Sequence, residues 1–322
     1  MSINTTVPVS VSTITVNSSV LETQTFTYSN TYNILNCINV ITALVGVTLC
    51  CFVANIVRKL DDNDLRSRFS LLSILICDVI LALCDLPISI YELTLIDQKR
   101  FDHLKCPLDN VSSTGTSLFI MPLVLSLMCL ALDQVIAVFK PLYFRTSEGT
   151  RRRIIYGAIT CIPVPLASIM LIYFSLEITK SSYYTESYCE SFTKAVSELL
   201  SYQFVIAVPL AVSTPVIYAV VLWKISGQSS VHSDNPVESI ENRRLVMSFL
   251  FLSASYVLLW IPTLAYFIFC HYSSNGCWEE ETTDTSLVLF IIFTFNFIID
   301  PVTCAVRMEP IKQRIILMFR FR

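Results

Sequence analysis

Residues 126–145 read SLMCLALDQVIAVFKPLYFR. The apolar run is interrupted by Asp133 and Gln134, continues to Phe139, and ends at Lys140 and Pro141. An acid and an amide near the end of an apolar helix, followed by a basic residue and a proline that stops the helix, are typical of a membrane span reaching water. The stretch therefore predicts that a transmembrane helix ends here.

The composition agrees with a membrane protein. Hydrophobic residues make up 54% of the 322 residues and charged residues 15%, and the mean hydropathy is +0.63. A soluble domain needs a polar coat, and the apolar blocks of this chain are too long and too poor in charge to provide one. A large soluble helical core, which is the alternative, is therefore disfavoured.

Seven apolar blocks are each long enough to cross a bilayer as a helix that rises about 1.5 Å per residue. They lie at about 32–57, 69–95, 114–139, 154–176, 198–225, 244–270 and 285–306. Residues 1–31 contain no Lys or Arg, and they predict a disordered tail without a cleaved signal peptide. Residues 307–322 interleave basic and apolar side chains, which predicts a short amphipathic helix on the membrane surface. The predicted fold class is an all-α membrane protein, a bundle of seven transmembrane helices with a short amphipathic C-terminal helix.

The basic residues predict the orientation in the membrane. With the N-terminus outside, 17 of the 22 Lys and Arg residues lie on the cytoplasmic side, and glycosylation sequons at Asn4, Asn17 and Asn110 all lie outside. The outer side then carries thirteen acidic and five basic residues. This excess favours cationic ligands, although an ordinary solvated loop surface has the same composition. We expect a plasma-membrane protein with an extracellular N-terminus and a cytoplasmic C-terminus.

The cysteines indicate disulfides rather than metal binding. Twelve cysteines form no C-x-x-C pair and are accompanied by only three histidines, so we expect no zinc site. Cys106, Cys189, Cys270 and Cys277 lie in or beside polar connections and are the ones that can pair. No nucleophile–base spacing or phosphate loop is present, so we do not expect an enzyme.

Four aspartates lie within the apolar blocks. Asp78, Asp85, Asp133 and Asp300 are costly in hydrocarbon and should face the bundle interior. Asp78 and Asp300 fall at a similar depth, with Asn296 one turn from Asp300. Two carboxylates so placed repel each other, so either one is protonated or a cation lies between them. We therefore predict a sodium- or proton-linked site formed by Asp78, Asn296 and Asp300, with a purely structural shared-proton pair as the alternative and no other cofactor.

Several motifs resemble those of rhodopsin-like (class A) G-protein-coupled receptors. Residues 126–145 are similar to D-R-Y-x-A-I/V-x-x-P-L-x-Y at the end of that family's third helix. The other matches are L-x-x-x-D at Asp78, W-x-P at Trp260, and N-P-x-x-Y at Asp300. They occur in the family's order over nearly the whole chain, and K-P-L-Y with R-M-E-P-I-K is similar to odorant receptors.

The resemblance implies a receptor that binds an extracellular ligand between its helices and passes the signal to a heterotrimeric G protein. It implies a ligand pocket and switch that include Thr116, Trp260, Pro262 and Thr263. An aromatic side chain packed beside a proline kink is the alternative for Trp260. It also implies a G-protein contact and two disulfides. The residues for G-protein coupling are Asp133, Gln134 and Tyr143. The first disulfide joins Cys106 and Cys189, and the possible second one joins Cys270 and Cys277.

The departures from the family pattern leave alternatives open. Gln134 replaces the family's arginine and loses its charge, so a ligand binder or scavenger that does not activate a G protein is the main alternative. A transporter is another, supported only by the paired membrane acids, since no inverted repeat is visible. Thr116 stands where amine receptors carry an aspartate, and Thr294 stands where opsins carry the retinal-binding lysine. An ordinary amine ligand and retinal are therefore disfavoured, and an odorant or other small molecule, or a cationic peptide, remains as the ligand.

Overall fold

The computed structural model describes residues 18–60, 68–94, 98–139, 149–181, 188–229, 236–272 and 280–320. Ten helices are found in this part of the chain, and we number them in chain order. They are α1 (Ser18–Lys59), α2 (Arg68–Thr94), α3 (Gln98–Phe139), α4 (Gly149–Cys161), α5 (Pro163–Ser181), α6 (Tyr188–Ser229), α7 (Pro236–Tyr272), α8 (Glu280–Thr294), α9 (Asn296–Arg307) and α10 (Glu309–Arg320).

Seven segments are long and apolar enough to cross a membrane, which confirms the predicted fold class. They are Tyr32–Lys59, Arg68–Leu93, Cys106–Phe139, Ile154–Tyr173, Phe192–Ser226, Val246–Tyr266 and Leu287–Val306. The fourth segment comprises parts of α4 and α5, and the seventh comprises parts of α8 and α9. No strand occurs within the described ranges.

The helices extend further than the apolar blocks predict. The expected disordered tail 1–31 is corrected for residues 18–31, because α1 already begins at Ser18. The third and fifth spans also begin earlier than expected, at Cys106 and Phe192. Once a helix is nucleated in the membrane, each further residue adds a backbone hydrogen bond, so the helix continues into polar sequence that hydropathy does not recognise.

The ring of helices closes through contacts between α1 and α9. Helix α2 packs between α1 and α3, α3 also contacts α4, α5, α6 and α7, and α7 contacts both α8 and α9. Large apolar side chains such as Trp223 and Leu258 remain exposed on the outside, at 78% and 72%. Exposed apolar side chains of this size suit a surface covered by lipid.

Pro301 and Gly46 together shape the contact between α1 and α9. Pro301 has no N–H group, so the carbonyl of Phe297, four residues earlier, lacks its usual helical donor. The Cys50 thiol lies 3.4 Å from this carbonyl and donates to it. Gly46, one turn before Cys50, has no side chain, and a Cβ there would lie 2.6 Å from Phe297 Cβ. A small residue at this position therefore lets the two helices meet.

The C-terminal helix α10 turns away from the seventh span at Met308. Met308 has an extended backbone, with φ −88° and ψ 105°. Ile311 is buried, whereas Ile316, Leu317 and Phe319 are exposed. An exposed salt bridge joins Lys312 and Glu309 at 3.8 Å. The predicted short helix with one buried and several exposed apolar side chains is present, and its position on the membrane surface stays a prediction.

Candidate functional site

All four intramembrane aspartates are buried, as the cost of a carboxylate in hydrocarbon requires. Asp78 and Asp300 are completely buried, and Asp133 and Asp85 are only 5% and 6% exposed. They lie in three separate places along the bundle, and each place has its own polar partners.

The first place is a pair of neighbouring carboxyl groups, Asp78 on α2 and Asp300 on α9. The Tyr256 hydroxyl on α7 donates to Asp78, at 3.1 Å from Oδ1 and 3.4 Å from Oδ2. Tyr256 and Asp78 also lie close to Asp300, but neither oxygen of Asp300 and neither amide atom of Asn296 meets the geometry of a hydrogen bond to a described residue. The structure thus brings together the two acids that the sequence predicted to meet, with Asn296 one turn from Asp300.

The unpartnered atoms at this pair suit an ion or a proton. Two full charges at contact distance in a buried site repel strongly, so the arrangement requires that a proton or a cation accompanies them. Oxygen atoms of two carboxylates and an amide are ligands that hard cations prefer. No group of three or more His, Cys, Asp or Glu side chains that could hold a metal ion occurs in the described ranges.

Trp260 lies at the centre of an aromatic column next to this pair. Its ring meets Tyr256 edge-on at 5.2 Å and Phe293 of α8 at 4.9 Å. Phe293 in turn contacts Phe297 of α9 at 5.9 Å. The Trp260 side chain is 1% exposed, and its indole Nε1 has no hydrogen-bond partner in the described part of the chain. Because buried indole N–H groups usually have a partner, this is a costly position that packing alone does not explain.

The other predicted pocket residues differ in their surroundings. Thr263 is 2% exposed and its hydroxyl donates to the Leu289 carbonyl at 2.8 Å, so it links α7 to α8. Thr116 is half-buried and donates to the Ser112 carbonyl of its own helix. Pro262 lies on the exposed side of α7 rather than in the bundle interior, so its part in a pocket is limited to its effect on the helix backbone.

The second place is a hydrogen-bonded network around Asp85, which we call the Asp85 cluster. Asn39 Nδ2 donates to Asp85 Oδ2 at 3.1 Å and to Ser89 Oγ at 2.9 Å. Ser89 Oγ donates to Asp85 Oδ2 at 3.2 Å, and Ser112 Oγ donates to Oδ1 at 3.3 Å. The Thr294 hydroxyl donates to Asn39 Oδ1 at 3.1 Å. The cluster therefore joins α1, α2, α3 and α8.

Sequence reasoning identified Asp85 but missed its partners and missed Tyr256. A signal was present for Asn39, because Asn36 and Asn39 are large amides one turn apart in a mostly apolar block. Tyr256, one turn before Trp260, carried a comparable signal. A single hydroxyl or amide in a membrane helix is common, and only the packing reveals which ones meet.

The third place is at the end of α3 that carries Asp133 and Gln134, the predicted coupling residues. The Tyr156 hydroxyl of α4 donates to Asp133 Oδ1 at 3.0 Å. Gln134 is 7% exposed. Tyr218 of α6 is fully buried close to Asp133, and its hydroxyl has no hydrogen-bond partner among the described residues. Tyr143, the remaining coupling residue, lies outside the described residues.

The predicted disulfides and glycans are described only in part. Cys106 is disulfide-bonded, while the side chains of Cys189, Cys270 and Cys277 lie outside the described part, so the pairing stays a prediction. Asn4 and Asn17 also lie outside it.

Asn110 is not in a loop but in α3, where Thr193 of α6 donates to its Oδ1 at 3.0 Å. Its Nδ2 lies 3.7 Å from Cys106 Sγ. A glycan at Asn110 stays a prediction, and it would have to replace this last contact.

Comparison with known proteins identifies the family. Residues 51–303 match the family described as 7 transmembrane receptor (rhodopsin family). The match includes all four buried aspartates, the aromatic column and the partners of the Asp85 cluster on α2, α3 and α8. No curated protein matches the chain.

Proposed function

Because the chain belongs to the rhodopsin family of seven-transmembrane receptors, we propose that it transduces the binding of an extracellular ligand to a cytoplasmic G protein. One observation carries this proposal. Trp260 contacts Tyr256, and Tyr256 donates to Asp78. A ligand that displaces Trp260 thus also disturbs a buried hydrogen bond on the neighbouring helix.

The movement that such a ligand would cause is a shift of α7. Helix α7 contacts α6, α8 and α9, and Thr263 bonds it to a carbonyl of α8. A ligand that binds a second arrangement of Trp260 and Thr263 more tightly shifts the population of receptors towards that arrangement. The free energy of this shift cannot exceed the difference in binding free energy between the two arrangements. With the N-terminus outside, the membrane-spanning part of α7 begins on the cytoplasmic side, at Val246. A rigid-body tilt of α7 there would open a cleft beside Asp133 and Gln134 for the G protein.

The ligand is an odorant or other small molecule, or a cationic peptide. Thr116 lies where amine receptors carry an aspartate, and its hydroxyl already donates within α3. The usual amine anchor on α3 is therefore missing. The excess of acidic residues in the predicted external segments favours a cation.

The paired carboxyl groups of Asp78 and Asp300, with Asn296, would hold a sodium ion or a shared proton that acts as an allosteric effector. The support is the set of unpartnered oxygen and amide atoms on Asp300 and Asn296. Such an ion would neutralise the repulsion between the carboxylates and stabilise the arrangement in which α2 and α9 are close.

Thermal unfolding of the purified receptor tests this site. Sodium chloride is compared with choline chloride at constant ionic strength, and a pH series is recorded at fixed sodium. We expect the unfolding midpoint of the wild type to depend on sodium or on pH, and that of Asp78→Asn to lose this dependence. The site is rejected if the wild type and the variant respond identically.

A second candidate function is a receptor-shaped binder that does not activate a G protein. Gln134 favours it, because glutamine can form hydrogen bonds but lacks the charge of the family's arginine. Basal second-messenger signalling of the wild type and of Gln134→Arg, at matched surface expression, distinguishes the two without a known ligand. We expect signalling from the wild type. Signal only from Gln134→Arg would support the non-coupling binder.

A further inference from the structure

The Asp85 cluster is a site separate from the Asp78–Asp300 pair. Asp85 lies two helical turns from Asp78 along α2, at about 10 Å, and on the predicted extracellular side of it. Its hydrogen bonds reach α1 through Asn39 and α3 through Ser112. The Trp260 column does not share any of these hydrogen bonds.

The partners of Asp85 do not balance a negative charge. Its donors among the described residues are one amide and two hydroxyls, all neutral, and no described Lys or Arg side chain forms a salt bridge with it. A buried carboxylate is normally paired with a cation. Asp85 Oδ2 already accepts two hydrogen bonds, from Asn39 and Ser89, whereas Oδ1 accepts a single long one of 3.3 Å from Ser112. Oδ1 is thus able to accept a further donor.

A second, independent observation comes from Asn36. It lies one turn before Asn39 on the same face of α1 and is completely buried. The Tyr32 hydroxyl lies near the amide N–H group of Asn36 and near Glu92 of α2, whereas the carbonyl oxygen of Asn36 has no hydrogen-bond partner among the described residues. A buried amide without a partner destabilises a fold. Asn36 therefore supplies a carbonyl acceptor that the protein itself does not use.

A second acidic residue, Glu92, lies on α2 near Asp85. Glu92 lies seven residues after Asp85, so both are on one face of the helix at about 10 Å separation. Glu92 is half-buried beside Tyr32, nearer to the predicted extracellular end. A cation approaching from outside would meet Glu92 first and then Asn36 and Asp85.

We propose that the Asp85 cluster, with Asn36, anchors the protonated amine of an extracellular ligand. The proposal rests on the receptor function proposed above and names the ligand chemistry. The amine donates to Asp85 Oδ1 and to the Asn36 carbonyl, and its charge is balanced by Asp85. A guanidinium group fits less well, because its fork requires both carboxylate oxygens and Oδ2 is occupied. A neutral ligand such as an alcohol can donate an O–H group, but it leaves the charge of Asp85 unbalanced.

The test measures binding directly and uses three probes with the same tail: n-hexylamine, n-hexylguanidine and 1-hexanol. The full chain is purified into lipid nanodiscs, and the thermal unfolding midpoint is recorded as a function of probe concentration at neutral pH. A compound that binds only the folded state raises the midpoint. We expect n-hexylamine to raise it, n-hexylguanidine to require at least tenfold higher concentration, and 1-hexanol to have no effect.

Three variants locate the site. Asp85→Asn keeps the size of the side chain and removes the charge, so we expect at least a tenfold loss of n-hexylamine affinity. The matched control is Glu198→Gln, an exposed acid on α6, which should leave the affinity unchanged. Asn36→Leu should unfold at the same temperature as the wild type or higher, because it removes an unpartnered amide. It should nevertheless respond more weakly to n-hexylamine.

The last variant also covers the case in which Asp85→Asn does not fold. If n-hexylamine has no effect on the wild type, or acts equally on the wild type and Asn36→Leu, the amine site is rejected and Asp85 is a structural link between helices. Because this assay needs no G protein, its failure is distinguishable from a failure of the Gln134→Arg signalling test.

Discussion

Replacing Gly46 by alanine tests the contact that closes the helix ring. The added Cβ would lie 2.6 Å from Phe297 Cβ and 3.1 Å from the Phe297 carbonyl oxygen. Non-bonded carbons prefer about 3.5–4.0 Å, so α1 and α9 must separate by about 1 Å. Neither contacting atom is at the free end of a side chain, so a rotamer change cannot relieve the overlap.

The expected cost follows from two opposing effects. Overpacking in a well-packed interior costs about 1–3 kcal/mol. Alanine stabilises a helix relative to glycine by roughly 0.5–1 kcal/mol, which offsets part of this cost. Separation of the helices also weakens the hydrogen bond from Cys50 to Phe297. We therefore expect Gly46→Ala to be destabilised by about 1–2 kcal/mol.

The assay is the midpoint of thermal unfolding of purified protein, followed by tryptophan fluorescence. Gly157→Ala is the matched control, because its Cβ would lie 3.4 Å from the ring edge of Phe69, an ordinary contact. That variant should unfold at the wild-type temperature or above it, through the helix preference of alanine alone. If Gly46→Ala is as stable as Gly157→Ala, the argument for close packing of α1 on α9 is refuted.

Two further substitutions test single hydrogen bonds by the same assay. Thr263→Val removes the donor to a backbone carbonyl of α8 and should cost about 1 kcal/mol of stability. Its control is Thr48→Val, which should change stability little because the exposed Thr48 hydroxyl bonds within α1. Equal effects of the two variants would contradict the link between α7 and α8. Tyr256→Phe removes the donor to Asp78 and should cost about 1–3 kcal/mol. Its control is Tyr218→Phe, which removes a buried hydroxyl without a described partner and should be neutral or stabilising. If Tyr218→Phe were the less stable variant, the hydrogen bond from Tyr256 to Asp78 would not contribute to stability.

The predicted helix ends differ from the observed ones for a physical reason. The apolar blocks show where a helix can be in contact with lipid, and they locate Tyr32–Lys59 and Arg68–Leu93 closely. They do not show where backbone hydrogen bonding stops. Helices therefore continue beyond the apolar part, to Ser18 in α1 and to Gln98 in α3.

The candidate sites were predicted unevenly. Asp78 and Asp300 were expected to meet because depth can be counted along a straight helix, and they do meet. Asp85 was recognised only as a residue that must avoid lipid. Its partner Asn39 is 46 residues away, and the choice among the many Ser, Thr and Asn side chains depends on how each helix is rotated about its axis.

The sequence by itself determined that seven helices cross a membrane, because the length of an apolar segment and its charges are properties of consecutive residues. Only the tertiary structure decided which polar groups share a site. Tyr256 reaches Asp78 across 178 residues, and Asn36 is left without a described partner. Both facts depend on helix packing, which is so close that a methyl group in place of one hydrogen atom of Gly46 would push two helices apart by about 1 Å.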